Sequence, residues 1–98
     1  MAAQGQTVLS PSAARRLVTV SAGEEAAARA RSMIGMLTRR ETDVLELISR
    51  GRSNAEIGRA LELTEATVKG YVSRILTKLG CTNRTQAGLL AHTARGAG

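Results

Sequence analysis

One segment of the chain, residues 65–79, combines basic, hydroxyl and small side chains at a spacing that could contact a polyanion. Its apolar residues recur at the interval that places them on one face of a helix: Val68, Val72, Ile75, Leu76 and Leu79. The opposite face then carries only small, polar or basic residues: Lys69, Gly70, Ser73, Arg74, Thr77 and Lys78. Such a face, free of bulky apolar groups, fits the major groove of duplex DNA, which admits one α-helix.

Hydroxyl and amide groups lie near the start of this helix and of the one before it. Thr64, Thr67 and Tyr71 supply hydroxyls, and Asn54 supplies an amide. Groups of this kind bind phosphates, and such contacts position a protein on DNA without specifying its sequence. Gly70 would let the helix backbone approach base edges, at a loss of about 1 kcal/mol of helix propensity relative to Ala.

Helix start and stop signals divide the C-terminal part of the chain into four helices. Capping boxes begin at Thr38 and Ser53, Thr64 can cap the third helix, and Asn83 with Gln86 resembles a further cap pair. The predicted helices run from Thr38 to a stop at Gly51, over 54–61, over 65–79 to a stop at Gly80, and over about 84–94. A turn of about three residues joins the second and third of these helices, which is the arrangement of a helix-turn-helix.

The N-terminal segment, residues 1–36, is predicted to be a partly helical linker. Ser10, followed by proline, favours a short helix over about 11–20. A capping box at Ser21 predicts a separate, Ala-rich helix that ends at Gly35. The fold class predicted for the chain is therefore all-α, with a linker at 1–36 and a four-helix domain at 37–98.

The composition excludes several classes of protein. A chain of 98 residues with a net charge of +6 fits one small basic domain, and it contains no apolar run long enough to cross a membrane. The single cysteine, Cys81, rules out an internal disulfide and favours the cytoplasm. With one histidine, His92, and one aspartate, Asp43, we expect no metal site, no cofactor and no catalytic set, so an enzyme is the least favoured class.

A dozen or more of these residues, in order and spacing, resemble the LuxR-type helix-turn-helix domain. The matching stretches are Leu37-Thr38-Arg39-Arg40-Glu41, Val44-Leu45, Gly51 to Ile57, Leu61, Thr64 to Lys69, Val72, Ile75 to Leu79, and Asn83 to Ala87. The resemblance covers about residues 37–95. Tyr71, Gly58 and Gly70 depart from residues common in the family, and these departures leave the target sequence open.

The resemblance implies a role for each matching residue. The third helix would enter the major groove, where Lys69 would contact bases or nearby phosphates. Gly70 and Ser73 match variable positions that read the sequence, and Arg74 lies beside them. Residues matching backbone-contacting positions are Asn54, Thr67 and Lys78. The last helix would form a homodimer surface through Ala87, Leu90, Ala91 and Ala94.

The N-terminal segment adds a shorter resemblance. Leu9-Ser10-Pro11-Ser12, followed by Arg15-Arg16-Leu17, is similar to the linker after the receiver domain of NarL/FixJ-type response regulators. Because a receiver needs a phosphoacceptor in an acidic pocket, and Asp43 lies inside a predicted helix, we expect an output domain that lacks its receiver.

The sequence is also compatible with two other functions. A sigma-factor region-four domain has a similar start and core, and RNA polymerase would then be a partner. A protein-interaction module would instead use the basic face to bind an acidic protein. Steep salt dependence of duplex binding would favour DNA over the second alternative.

Overall fold

The structure, a computed structural model, describes the backbone of residues 11–96 and the side chains of residues 23–96. Five helices follow one another along the chain: α1 (Pro11–Ile34), α2 (Arg39–Ser49), α3 (Asn54–Leu61), α4 (Glu65–Leu79) and α5 (Arg84–Ala94). No strand occurs within the described residues. The predicted all-α class is confirmed, as are the four helices of the C-terminal part and the helical content of the linker.

Side chains cap the helices where the capping boxes predicted. At α2, the Thr38 hydroxyl accepts a hydrogen bond from the Glu41 N–H (3.1 Å), and the Glu41 carboxylate accepts one from the Thr38 N–H (2.8 Å). Ser53 and Glu56 make the same reciprocal pair at α3, at 3.1 and 2.8 Å. These bonds satisfy N–H groups that have no partner inside the helix, so they define where each helix begins.

The cap of α5 differs in one bond from the predicted pair. The Asn83 side chain accepts a hydrogen bond from the Gln86 N–H at 2.9 Å, as expected. The Gln86 side chain, however, accepts from the N–H and the hydroxyl of Thr82, at 2.7 and 3.0 Å, rather than from the backbone of Asn83. The glutamine side chain therefore ties down Thr82, the residue before the cap.

The first helix is continuous, whereas the sequence predicted two helices with a boundary at Ser21. Ser21 and Glu24 both lie inside α1, so Ser21 does not adopt the extended conformation that a capping residue needs. A Cβ atom at Gly23 would have no neighbour within 4 Å, and no proline interrupts this stretch. Nothing in the local chain therefore stops the helix. The predicted cap at Ser10 lies outside the described residues.

The end of α1 packs against α5. Ala27 and Ala30 are buried there, 5% and 1% exposed. The Arg31 guanidinium donates a hydrogen bond of 3.0 Å to the carbonyl oxygen of Ala94. A cation at the carbonyl end of a helix is favourable because it satisfies an unpaired acceptor and opposes the helix dipole. The segment predicted as a linker is thus docked on the last helix at its C-terminal end.

One apolar core joins the four C-terminal helices. It consists of aliphatic residues from every one of them: Val44, Leu45, Ile48, Ile57, Val68, Ile75, Leu79, Ala87 and Ala91. Because α5 packs against both α1 and α2 while α4 packs against α2 and α3, this core holds α4 with one face buried and the other outside.

The turn between α3 and α4 depends on a close approach of the backbone. Gly58 is buried, and its carbonyl oxygen accepts a hydrogen bond from the Leu63 N–H at 2.8 Å. A Cβ atom at Gly58 would lie 2.5 Å from the Leu63 carbonyl oxygen, so a side chain there would force the turn to move. Gly58 therefore makes the tight turn possible. The turn also places Glu62 in the left-handed conformation, with φ of 59°.

Replacing Glu62 by glycine should stabilise the protein. A non-glycine residue in the left-handed region is strained, and Glu62 is exposed and caps α3 from there. We expect Glu62→Gly to raise the free energy of unfolding by about 1 kcal/mol, seen as a higher melting temperature by circular dichroism. Arg59→Gly, at an exposed position within α3, should lower it by a similar amount. A lower melting temperature for Glu62→Gly would contradict the strain at this turn.

None of the helices in residues 11–96 combines the length and the hydrophobicity that a membrane crossing requires.

Candidate nucleic-acid interface

The third helix of the C-terminal part, α4, turns its polar face outwards as the apolar spacing predicted. Val68, Ile75 and Leu79 are 0–2% exposed in the core. On the opposite side, an outer stripe of four residues faces away from it: Lys69, Gly70, Ser73 and Thr77. Lys69 and Ser73 are exposed, so both can reach a ligand that lies along the helix.

The other predicted contact residues of α4 form a second stripe along its flank. Their helical spacing places them one above the other: Thr67, Tyr71, Arg74 and Lys78. We call these residues the flank stripe. The last two of these lie beside the start of α2. The sequence predicted one basic face, and the structure divides it into an outer stripe and a flank stripe with different surroundings.

A buried carboxylate on α2 anchors the flank stripe. Glu41 is 2% exposed. One of its oxygens, Oε1, accepts a hydrogen bond from Lys78 Nζ at 2.8 Å, and Oε2 lies 3.7 Å from Arg74 Nε. The sequence identified Glu41 only as a capping residue, because its partner Lys78 is 37 residues further along the chain. No local pattern links the two positions.

The environment of Glu41 favours its ionised form. The hydrogen bond from Lys78 lowers the pKa of the Glu41 carboxyl most, and the bond from the Thr38 N–H lowers it further, against the opposing effect of burial. Glu41 is therefore a fixed negative charge at neutral pH. It holds Lys78 and Arg74 on their inner sides, while both cations remain partly open to solvent.

Arg74 is held from a second direction by an aromatic ring. Its guanidinium carbon lies 4.7 Å from the centroid of the Tyr71 ring, within the range of a cation–π contact. With Tyr71 on one side and Glu41 on the other, the guanidinium has a defined position before any ligand arrives. The side chain is still 57% exposed, so part of the guanidinium remains available.

The hydroxyl groups at the start of α4 are partly engaged in its cap. Thr64 Oγ1 accepts a hydrogen bond from the Thr67 N–H at 3.1 Å and donates one to Thr67 Oγ1 at 2.9 Å. This confirms the predicted cap at Thr64. The Thr67 hydroxyl therefore keeps its own proton for an acceptor outside the protein.

Gly70 has no packing role that requires glycine. A Cβ atom there would meet only Arg74 Nη1, at an ordinary contact distance of 3.7 Å. We expect Gly70→Ala to raise the free energy of unfolding by about 1 kcal/mol, because alanine favours the helix. If the bare backbone meets base edges, the same change should weaken DNA binding several-fold. Gly23→Ala, on α1, should stabilise without that loss, and equal affinities for both variants in a gel shift would argue against a role for Gly70 in DNA contact.

Asn54 is the first residue of α3 and is half-buried. Its side-chain oxygen accepts a hydrogen bond from Arg84. The Arg84 guanidinium also donates a hydrogen bond of 2.8 Å to the Arg52 carbonyl oxygen. The sequence did not single out Arg84 as a site residue, since Asn54 lies 30 positions before it.

The structure separates the four residues predicted for a dimer surface. Ala87 and Ala91 are 0% and 6% exposed, because α5 turns this face into the core of its own chain. Leu90 and Ala94 are half-buried. The outward face of α5 carries others: Thr85, Leu89 and His92, with Leu89 61% exposed beside a shallow groove that Ile48, Ser49 and Gly51 also line.

Across the part of the chain that the structure describes, His, Cys, Asp and Glu side chains do not gather in threes or more in a way that could hold an ion.

The chain resembles known proteins both in this domain and along its length. Residues 35–91 match the family model for bacterial regulatory proteins of the luxR family. The nitrate/nitrite response regulator protein NarL of Escherichia coli (strain K12) is 38% identical over 96 residues, 96% of this chain and 43% of that protein. The DNA-binding transcriptional activator DevR/DosR of Mycobacterium tuberculosis is 40% identical over 87 residues, 89% of this chain and 39% of that protein.

A third relative matches the C-terminal helices alone. The transcriptional regulatory protein LiaR of Bacillus subtilis (strain 168) is 48% identical over 56 residues, 57% of this chain and 26% of that protein. The chain thus spans less than half the length of each of these relatives. Because the family model covers more than half of the chain, and its residues form α2, α3, α4 and most of α5, this chain belongs to the luxR family of bacterial regulatory proteins through a LuxR-type helix-turn-helix domain.

Proposed function

We propose that this chain is the DNA-binding output domain of a response-regulator-type transcription regulator and that it inserts α4 into the major groove. The observation that carries the proposal is the outer stripe of α4, which presents a lysine, a glycine and two hydroxyls and no carboxylate. An exposed helix of this composition matches the width and the hydrogen-bonding groups of the groove. The names of the relatives, a response regulator and a DNA-binding activator among them, support it.

The two stripes of α4 have different tasks in this proposal. Lys69, Gly70 and Ser73 of the outer stripe meet base edges and determine the preferred sequence. The flank stripe meets the phosphates beside the groove, through the outer donors of Arg74 and Lys78. Thr64, Thr67 and Asn54 add neutral phosphate contacts, which set the register of the protein on the duplex.

We further propose that two copies bind together through the outward face of α5. Leu89 is a large apolar side chain exposed to solvent, and its neighbours Thr85 and His92 lie on the same face. Burial of this face by a second copy would remove apolar surface from water. Two-fold symmetry would then place two half-sites about one helical turn apart, roughly 10 bp from centre to centre.

Selection of bound sequences from a random duplex pool tests these points together. We expect an enriched motif that contains two related half-sites, and an affinity for it well above that for random duplex at moderate salt. Binding without any sequence preference would overturn the proposed function. A single enriched half-site would overturn the proposed dimer, and co-purification with RNA polymerase without duplex binding would favour a sigma-factor-like role.

A further inference from the structure

Arg84, the first residue of α5, reaches across to the start of α3 and holds Asn54. Its guanidinium donates one hydrogen bond to the Asn54 side-chain oxygen and another, of 2.8 Å, to the Arg52 carbonyl oxygen. Both Arg84 and Asn54 are half-buried, so one side of the pair faces the protein and the other faces solvent. The three groups connect the last helix to the edge of the proposed DNA surface.

This contact determines the orientation of the Asn54 side-chain amide. A guanidinium has five N–H donors and no acceptor, so only the oxygen of the Asn54 amide can face it. The amide nitrogen, with two donors, must then point away from Arg84. Among the described hydrogen bonds, none uses that nitrogen as a donor. Asn54 therefore offers donors to an acceptor outside the protein, and its oxygen is already occupied.

The surroundings of Asn54 favour an anionic acceptor. The charge of Arg84 lies directly behind the amide, and the start of α3 contributes backbone N–H groups that have no partner inside the helix. The nearby Glu56 carboxylate accepts a hydrogen bond from the Ser53 N–H at 2.8 Å and is thereby tied to the cap. A phosphate oxygen of the duplex has the charge and the acceptor geometry for this place.

We infer that Arg84 is a positioning residue for DNA binding, which locks the Asn54 amide with its two N–H donors towards a backbone phosphate. The inference rests on the proposed function, because it names how one side chain of the same surface is oriented. It adds Arg84, a residue of α5, to the determinants of affinity.

Two substitutions of Asn54 test the orientation of the amide. Asn54→Asp keeps an acceptor for Arg84 but replaces the outward NH2 group by an anionic oxygen, whereas Asn54→Ala removes both. We expect the melting temperature of Asn54→Asp to equal or exceed that of the wild type and that of Asn54→Ala to be lower. The affinity for duplex should follow a different order, with the wild type strongest, Asn54→Ala weaker, and Asn54→Asp weakest by at least tenfold relative to the wild type.

The opposite orders of stability and affinity are the diagnostic result. A residue with a purely structural role would change affinity only as far as it changes folding. The probes are the duplex recovered from the random pool and a short random-sequence duplex at low salt. Loss of a phosphate contact should weaken binding of both probes to a similar extent. If the wild type binds these probes and Asn54→Asp binds equally well, the inference is overturned while the proposed function stands. If the wild type binds neither, the proposed function fails first.

A double-mutant cycle tests the part played by Arg84. In an Arg84→Met background the amide is no longer locked, so Asn54→Ala should weaken binding at least threefold less than it does in the wild-type background. Equal losses in both backgrounds would show that Arg84 does not position Asn54. Thr85→Ala, at the next and exposed residue of α5, is the matched control and should leave the effect of Asn54→Ala unchanged.

Discussion

Lys69→Ala should weaken binding of the selected duplex by about 5- to 150-fold while the protein keeps its fold, since one good base contact contributes roughly 1–3 kcal/mol of discrimination. Lys69 is exposed on the outer stripe of α4, and none of the ion pairs found among the described residues involves it. Its removal therefore leaves no buried group without a partner. The melting temperature should stay within about 2–4 °C of the wild type, because exposed substitutions change stability by less than about 0.5 kcal/mol.

The comparison that isolates the role of Lys69 is Arg29→Ala. Arg29 is exposed on α1, and its removal also lowers the net charge by one. We expect Arg29→Ala to bind the selected duplex as the wild type does. Competition between the selected duplex and a random-sequence duplex should show a smaller preference for the selected sequence for Lys69→Ala alone, because a base contact specifies sequence. Equal affinities for the two variants would contradict the assignment of α4 to the DNA interface.

Glu41→Gln should lower the free energy of unfolding at neutral pH by about 2 kcal/mol, the middle of the range for hydrogen bonds to charged groups. The glutamine oxygen can still accept the Thr38 N–H bond, so the capping box survives. The lost contribution is the charged interaction with Lys78 and Arg74, which joins α2 to α4. Urea unfolding followed by circular dichroism measures the change.

The dependence on pH identifies the charge as the cause. The pKa of Glu41 is lower in the folded protein than the ordinary value of 4.5, so its contribution is fully present above that value. The contribution is lost as the pH falls through the lowered pKa, because the unfolded chain then binds the proton first. The difference between the wild type and Glu41→Gln should therefore be largest near neutral pH and shrink in acid.

Asp43→Asn is the matched control for Glu41. It makes the same carboxylate-to-amide change two residues away on α2, where Asp43 lies 3.7 Å from the exposed Arg39 and 3.8 Å from the half-buried Arg40. Surface ion pairs of this kind contribute about 0–1 kcal/mol, so the stability should change little. Equal losses of stability for Glu41→Gln and Asp43→Asn would contradict the role of Glu41 as a buried anchor. A loss of stability for Glu41→Gln that persists in acid would contradict it as well.

The helices of the C-terminal part could be predicted because their signals are local. A capping box joins residues three positions apart, as at Thr38 and Ser53, and the helix stop at Gly80 depends on the backbone of that residue alone. The apolar spacing of α4 likewise follows from the helical repeat, and it predicted which face of α4 is buried and which is outside. The family resemblance rests on the same local positions and is confirmed.

The boundary predicted at Ser21 shows where local signals are insufficient. The Ser-x-x-Glu pattern there is the same as the one at Ser53, yet Ser21 lies inside one continuous helix. A capping pattern permits a helix start but does not require one. Whether it is used depends on the rest of the chain, and here the end of α1 packs on α5.

The tertiary structure alone decided how the site is held. The partners of Glu41, Asn54 and Ala94 lie 37, 30 and 63 positions away along the chain, and no spacing rule connects residues so far apart. The same holds for Ala87 and Ala91, whose small apolar side chains suit a dimer surface and a core equally well. Local hydrogen bonds and helical periodicity depend on residues that are close in the sequence. The residues that each helix face contacts are determined only when the helices pack together.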